Sequence, residues 1–380
     1  FSVMPEQILR SCDADAGVRG DGEFALVGLA GRLEEKREWF DLPNLIWRRD
    51  ERGRTPPFSP LLKLFQSLSG WKRNPPSAVS LTGLPTMSRS WVDNRRYFCE
   101  GGQAGFETKR GCSYSCIYCA DPIAKGSKIR VRPPKAVADE LENLLKQGID
   151  HFHTCDSEFN APDWHASEVC EEIIRSGLGD KLRWYAYCTP AAFSPELARL
   201  MRRAGCAGIN FGVDNGDDGM LRRLRRGFTT DDIVSVARSC REAGITVMFD
   251  LLLGSPGETR ESIIRTIGLM KQTEPDCVGV AIGVRVYPGT ELADLVTQKE
   301  LKEGLVGGED PAEPLFFIEP SVAPLIFELL DELIGDDRRF FFFDPSKPER
   351  NYNYNYNQLL VDAIKEGYRG AYWDILRRYV

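Results

Sequence analysis

Three cysteines stand close together in Lys109-Arg110-Gly111-Cys112-Ser113-Tyr114-Ser115-Cys116-Ile117-Tyr118-Cys119, at C-x3-C-x2-C spacing in a loop opened by a glycine. Thiolates are soft ligands that suit iron–sulfur clusters and zinc. Four of them close a tetrahedral zinc site or complete a [4Fe–4S] cluster. No further Cys or His follows Cys119 within the next thirty residues. The spacing therefore points to a cluster with one iron left open for a substrate or cofactor. Tyr118, just before the last cysteine, is placed to cover one face of it. Two other readings stand beside this one: three buried small hydrophobes, or three ligands of a zinc site finished by a distant residue. Cys155, Cys170, Cys188, Cys206, Cys240 and Cys277 are scattered one per element and read as core packing.

The elements that must position this loop form a regular series. From Ala104 the rhythm becomes strand–helix–strand. Strands are expected at Phe106–Lys109, His151–Cys155, Leu182–Tyr187, Gly208–Gly212, Thr246–Leu253 and Val278–Val286. Helical patterns lie between them, at Pro134–Gln147, Ala166–Ser176, Pro195–Ala204, Thr230–Ala243 and Arg260–Gln272. Ser194-Pro195 and Thr229-Thr230 supply helix starts. Six β–α units in series predict an α/β fold, a partial (β/α)6 TIM-like barrel over residues 104–295. Ligands of such sheets bind at the carboxyl ends of strands, and the first strand ends in the cysteine loop.

Outside the barrel the chain is less regular. Pro5–Arg10 reads as a short helix, Ala14–Val18 as a strand, Gly20-Asp21-Gly22-Glu23 as a turn, and Glu23–Leu33 as a helix with apolar Phe24, Leu26, Val27, Leu29 and Ala30. This order fits the last units of a doubly wound α/β domain over residues 1–50. Residues 51–103 have linker composition, with Arg52-Gly53-Arg54-Thr55-Pro56-Pro57 and Asn74-Pro75-Pro76. A short helix is expected at Leu61–Leu68. Trp71, Trp91 and Tyr97 are expected to pack the linker onto the main domain. Residues 296–380 form a small C-terminal α/β extension. It carries an apolar strand around Phe340, an Asn/Tyr alternation from Asn351 to Asn357, and closing helices at Leu359–Gly367 and Ala371–Tyr379. This region is expected to cap the open side of the barrel and help choose the substrate.

Composition narrows the function classes. The 380 residues, 42% hydrophobic and 28% charged, are ordinary for a globular chain of two or three domains. A net charge of −7 and a pI near 5.3 disfavour non-specific nucleic-acid binding. No apolar run approaches a membrane span. Eleven cysteines, an odd number, with no visible signal peptide suit a reducing cytoplasm. The first residue is Phe1 rather than Met, so the numbering is expected to begin partway through a longer protein.

The cysteine motif with its preceding aromatic resembles the signature of radical S-adenosylmethionine (SAM) enzymes, and the resemblance covers about residues 100–295. It implies that Cys112, Cys116 and Cys119 hold a [4Fe–4S] cluster whose fourth iron is chelated by SAM. An electron from that cluster cleaves SAM to a 5′-deoxyadenosyl radical. Five further strand ends resemble family phrases. Asp156-Ser157-Glu158-Phe159 resembles an Asp-x-x-Phe variant, which implies that Asp156, Ser157 or Glu158 holds the SAM amino group; a helix cap is the alternative. Thr189 stands where the third-strand phrase often ends in Arg. Asp214 takes the place of a Glu that binds ribose hydroxyls. Arg226, in a family Lys-Gly position, is implied to pair with the SAM carboxylate; a solvated helix end shared with Arg222, Arg223 and Arg225 is the alternative. Leu253-Gly254-Ser255-Pro256-Gly257-Glu258-Thr259 resembles the Gly-x-Pro-Gly-Glu-Thr turn, with Leu253 and Gly254 walling the adenine. The sixth strand's ending, Tyr287-Pro288-Gly289-Thr290, is likewise similar.

The first 50 residues resemble the tail of the cobalamin-binding domain that precedes many radical SAM domains, through the Gly20–Glu23 turn and Asn44-Leu45-Ile46-Trp47-Arg48. The family's Asp-x-His-x-x-Gly loop is absent; the only histidines are His151, His153 and His165. Cobalamin is the further cofactor this implies. Methyl transfer to a small-molecule or peptide substrate, with a flavodoxin- or ferredoxin-like electron donor, is the first functional expectation. A radical SAM oxidative cyclase or rearrangement enzyme is the second, and a non-catalytic iron–sulfur electron carrier is the rival from another class.

Overall fold

The computed structural model describes residues 1–12, 14–48, 70–87, 89–297, 299–308, 313–342 and 357–379. Seven strands form one sheet in chain order: β1 (Ala104–Phe106), β2 (His151–Thr154), β3 (Arg183–Cys188), β4 (Cys206–Asp214), β5 (Thr246–Leu253), β6 (Cys277–Ile282) and β7 (Phe340–Phe342). Every neighbouring pair is parallel. Helices α1 (Pro134–Lys146), α2 (Asp163–Arg175), α3 (Pro195–Arg203), α4 (Thr230–Ala243) and α5 (Arg260–Thr273) cross between β1 and β6, and α6 (Ile326–Ile334) precedes β7. The six expected units are present, and the apolar strand expected near Phe340 adds a seventh. As expected, Ser194 caps α3 by accepting from Leu197 N (3.1 Å), and Thr229 opens α4 with a capping box to Asp232.

Strand alternation sorts side chains onto two faces. Phe152, Trp184, Ile209, Phe211, Phe249 and Leu251 join the main core between sheet and helices. Trp184 lies at its heart, 5.0 Å from the Phe159 ring, and donates its indole N–H to Ala204 O at 2.8 Å. The intervening residues, among them His153, Tyr187, Asn210 and Asp250, therefore face inward.

Several boundaries differ from expectation for local reasons. β1 stops at Phe106 because the amides of Thr108 and Lys109 turn to the Asp156 carboxylate instead of the ladder (2.9 and 3.2 Å). Lys109–Arg110 pairs antiparallel with Arg130–Val131. β6 stops at Ile282 because Gly283, at φ +83°, breaks the strand. Val284–Arg285 then joins Leu315–Phe317 and Leu305–Gly307 in a small antiparallel sheet.

The N-terminal segment carries its expected helices, Pro5–Ser11 and Glu23–Glu34, and its strand, Ala16–Val18. Ala16–Val18, Leu45–Arg48 and Trp71–Arg73 form an antiparallel sheet. Trp71 packs with Leu9 and Ile46 of this segment, not on the main domain. Trp91 is 93% exposed in a turn and Tyr97 is largely exposed on a helix that buries none of its residues, so neither packs the linker down. The expected helix at Leu61–Leu68, the Arg52–Pro57 stretch and residues 351–356 of the Asn/Tyr alternation lie outside the described residues. Asn357 caps the helix Gln358–Lys365.

Of the C-terminal region, Glu319 reaches the carboxyl-end rim, donating its N–H to Gly254 O (2.8 Å), whereas the helix Tyr372–Tyr379 does not cap the open side of the barrel. It closes the opposite end. Trp373 packs with Tyr185, Met248 and Cys277, all in the N-terminal halves of their strands. Asp374 accepts from Tyr185 OH at 2.8 Å. Among the described residues no helix is long and apolar enough to cross a membrane.

Candidate active site

The cysteine loop is fixed at its root before any ligand is considered. Lys109 is buried, donates its Nζ to the carbonyl oxygens of Glu158 (2.5 Å) and Phe159 (2.8 Å), and lies over the Phe159 ring. Asp156 accepts from Thr108 N, Thr108 Oγ1 (2.5 Å) and Lys109 N. The second strand end thus clamps the first. Arg110 reaches the other way, to Asp21 Oδ1 (2.8 Å), Glu23 (2.8 Å) and Glu107 (2.9 Å). Burial alone would raise the Asp21 pKa, but Val79 N–H, Arg130 and Arg110 outweigh it and hold the carboxyl below its ordinary value. The Gly20–Glu23 turn is thereby docked beside the loop.

The three thiols are free of disulfides. Burial raises all three: Cys119 to about 12, with Cys112 and Cys116 shifted the same way. At Cys116 the Arg226 guanidinium opposes that rise. Buried thiolates need positive charge beside them, which the irons of a cluster provide. Among the described residues no group of three His, Cys, Asp or Glu could hold a single metal ion. A cluster takes its thiolates on separate irons, and the spread of these three thiols suits it. The donor set fits a cluster.

Around the loop the strand ends converge. Asp214 ends β4 in a left-handed conformation (φ +61°). Its Oδ2 accepts from Tyr118 OH at 2.5 Å and stands 3.2 Å from Arg226 Nε, an ion-pair contact. Arg226 also donates Nη2 to Gly212 O (2.6 Å) and Nη1 to Cys116 Sγ (3.1 Å), and lies over the Phe228 ring. Its side chain is 7% exposed. The solvated-helix-end reading therefore fits Arg222, Arg223 and Arg225, which are exposed, and not Arg226. Glu158 Oε1 lies 3.8 Å from Arg226 Nη2. Burial pushes the Glu158 carboxyl up to about 7, with Arg226 pulling against it and Asp214 adding to the rise.

The other expected ligand contacts are placed differently. Ser157 Oγ donates to Asp121 Oδ2 (2.5 Å), tying β2 to the helix after the cysteines. Thr189 is buried and exchanges backbone bonds with the Asn160 side chain (2.9 and 3.0 Å), which makes it a fastening of β3. Leu253 is completely buried in the sheet–helix core and cannot wall an adenine from inside, because alternation puts Leu252 on the inner face. Gly254 (φ +86°) stays at the rim, where its carbonyl accepts from Glu319 N (2.8 Å). Sequence reasoning did not single out buried Lys109 or the inward residues of β4 and β5. The available signal was polarity at alternating positions inside apolar strands, as in Ile209-Asn210-Phe211 and Phe249-Asp250-Leu251.

The geometry agrees with comparisons to known proteins. Residues 106–270 match the Radical SAM superfamily model. The chain is similar to the tryptophan 2-C-methyltransferase of Streptomyces laurentii, 31% identical over 92% of this chain and 67% of that one. It is also similar to an uncharacterised methyltransferase of Pyrococcus horikoshii, 25% identical over 77% of this chain and 60% of that one. Among solved structures, the radical SAM methyltransferase TsrM of Kitasatospora setae, with tryptophan and a SAM analogue bound, superposes with TM-score 0.85 at 28% identity. That match covers 100% of this chain and 78% of the other. The same enzyme with cobalamin and a [4Fe–4S] cluster gives 0.82 at 25% identity, over 100% of this chain and 79% of the other.

Proposed function

Since the chain belongs to the radical SAM superfamily, we propose that it is a cobalamin-dependent methyltransferase whose substrate is tryptophan or a closely similar aromatic amino acid. One observation carries this reading. The likeness to the tryptophan methyltransferases is not confined to the barrel but extends over the N-terminal segment and the C-terminal plug. An electron carrier would have no use for a polar, closed-bottomed barrel lumen.

Cys112, Cys116 and Cys119 would hold the cluster, and the docked N-terminal segment is the side from which cobalamin would be presented. When bound, the cluster supplies electrons to SAM and cobalamin supplies a carrier for the methyl group. The chain's own residues do the rest. Tyr118, tied to Asp214 at the end of β4, would cover the cluster on that side. Arg226 sets positive charge beside the Cys116 sulfur and, with Asp214 and Glu158, forms the polar wall against which SAM would lie. Trp373 and its neighbours close the far end of the lumen against water. An external flavodoxin- or ferredoxin-like donor and a small-molecule rather than peptide substrate complete the proposal.

The test is anaerobic reconstitution with iron, sulfide and cobalamin, followed by incubation with SAM, tryptophan and a reductant. About four irons per chain, bound cobalamin, methylated tryptophan and S-adenosylhomocysteine are expected, all but cobalamin binding being lost in Cys116→Ala. 5′-Deoxyadenosine without a methylated product would instead favour the cyclase or rearrangement reading. A cluster that leaves SAM intact would refute both.

A further inference from the structure

The inner face of the barrel holds a group of side chains that the cluster-side site does not use. Asn210 on β4 and Asp250 on β5 face the lumen, since Ile209, Phe211, Phe249 and Leu251 on either side of them are buried in the sheet–helix core. On the same face, Tyr187 of β3 is in register beside Asn210, and His153 of β2 lies next to it, with ring centroids 4.8 Å apart. Below lies the apolar floor of Trp373, Tyr185 and Met248. Above lies the cysteine loop. The group sits where a substrate held between floor and cofactor must pass.

Its hydrogen-bonding capacity is one-sided. Asp250 has no ion-pair partner among the described residues; the charge acting on it is another carboxylate, Asp214, and its one hydrogen-bonding neighbour is Asn210. Burial, first, and Asp214, after it, raise its pKa to about 7. Asn210 is 4% exposed, and its Oδ1 has no hydrogen-bond partner among the described residues. A buried amide oxygen without a donor is costly unless a ligand supplies one. His153 Nδ1 lies 2.8 Å from Thr154 O, which can only accept, so Nδ1 carries the hydrogen. Burial holds the His153 pKa below its ordinary value, which leaves the ring neutral and Nε2 an acceptor. Asp250 and Asn210 Oδ1 are thus two acceptors on neighbouring strands with no cation paired to either among the described residues, and His153 Nε2 is a further acceptor on β2. The Tyr187 ring, 45% exposed, offers an aromatic face beside them.

We infer that Asp250 and Asn210 Oδ1, beside the Tyr187 ring, form the site that receives the substrate's ammonium group. An ammonium has three N–H donors and the charge that Asp250 lacks a partner for. The inference rests on the amino-acid substrate proposed above and adds how that substrate is oriented: its amino group points down into the lumen, so the ring is presented toward the cofactor end.

Equilibrium binding to the cluster-loaded protein tests this with three probes, namely L-tryptophan, tryptamine and indole-3-propionate, on wild type and Asp250→Asn. Tryptophan and tryptamine are expected to bind wild type and to weaken about tenfold or more in the variant. Indole-3-propionate, which lacks the amino group, is expected to bind weakly and equally to both proteins. The wild-type ranking of the probes tests the site without any substitution. Equal affinity of tryptophan for the two proteins would overturn the ammonium site and leave the substrate reading standing. Asp250-dependent binding of tryptamine with no binding of tryptophan would keep the site and overturn the amino-acid reading. Failure of both amines to bind wild type would overturn both.

Discussion

Arg226 is the residue on which the cofactor end of the site turns. Its guanidinium is held by Asp214 and Gly212 O and aimed at the Cys116 sulfur. Removing one member of a buried ion pair strands the other charge, which costs about 3 kcal/mol. Arg226→Gln and Asp214→Asn are each expected to destabilise the protein by about that amount, and the double variant by clearly less than the sum. Urea denaturation of the four proteins under anaerobic conditions measures this. Additive losses would show that the two side chains do not act as a pair. Glu158, whose carboxyl is pushed up to about 7, adds a pH dependence at the same place. Its folded value lies above the unfolded one, so its burial costs stability once pH exceeds the unfolded value near 4.5, and increasingly up to about 7. Glu158→Gln is expected to make the protein relatively more stable above pH 7 than below pH 5, compared with wild type.

At the scale of elements, the turn Gly20–Glu23 and the root of the cysteine loop are joined through Asp21. Its oxygens face Arg110 and Arg130, and its Oδ2 accepts from Val79 N at 2.7 Å. Asn44, itself left-handed, donates to Asp21 O (2.6 Å) and Ser77 O (2.8 Å), so the strand Leu45–Arg48 is tied into the same knot. The folded Asp21 pKa is depressed, so its contribution is complete above the unfolded value of 3.8 and drains away as pH falls through the lower folded value. Asp21→Asn is expected to loosen this junction by on the order of 2 kcal/mol. Hydrogen exchange reads the outcome: faster exchange in residues 16–18 and 45–48, with the barrel strands unchanged. Unaltered exchange would mean that the segment is held by its apolar contacts alone.

For the whole molecule, the decisive feature is that the barrel is closed from below by the helix Tyr372–Tyr379. Trp373 lies under Gly208, where a side chain would collide with it, and its ring is 5.9 Å from that of Tyr185. Trp373→Ala is expected to cost about 3–4 kcal/mol and to weaken substrate binding by opening the floor to water. Trp373→Phe should recover most of both. Thermal unfolding and tryptamine affinity, measured together, check this; lost stability with unchanged affinity would separate the plug from the site.

The sequence by itself determined the series of β–α units, the cysteine loop at the end of the first strand and the glycine-bearing turn after the fifth. These are written in local spacing, in the C-x3-C-x2-C motif and in apolar runs closed by caps and glycines, and local spacing is what a single chain displays. Alternation separates the two faces of a strand locally, and the tertiary structure decided which of them turned to the lumen. One step in strand parity moved Leu253 out of the lumen and put Asp250 into it. Folding also buried Arg226 among its neighbours while Arg225 stayed exposed, and sent the last helix to the bottom of the barrel instead of the top. Those outcomes depend on register and on contacts between segments more than 150 residues apart, such as Tyr185 and Asp374. Such partners are chosen by closing the sheet around a common core, and no local pattern carries that information.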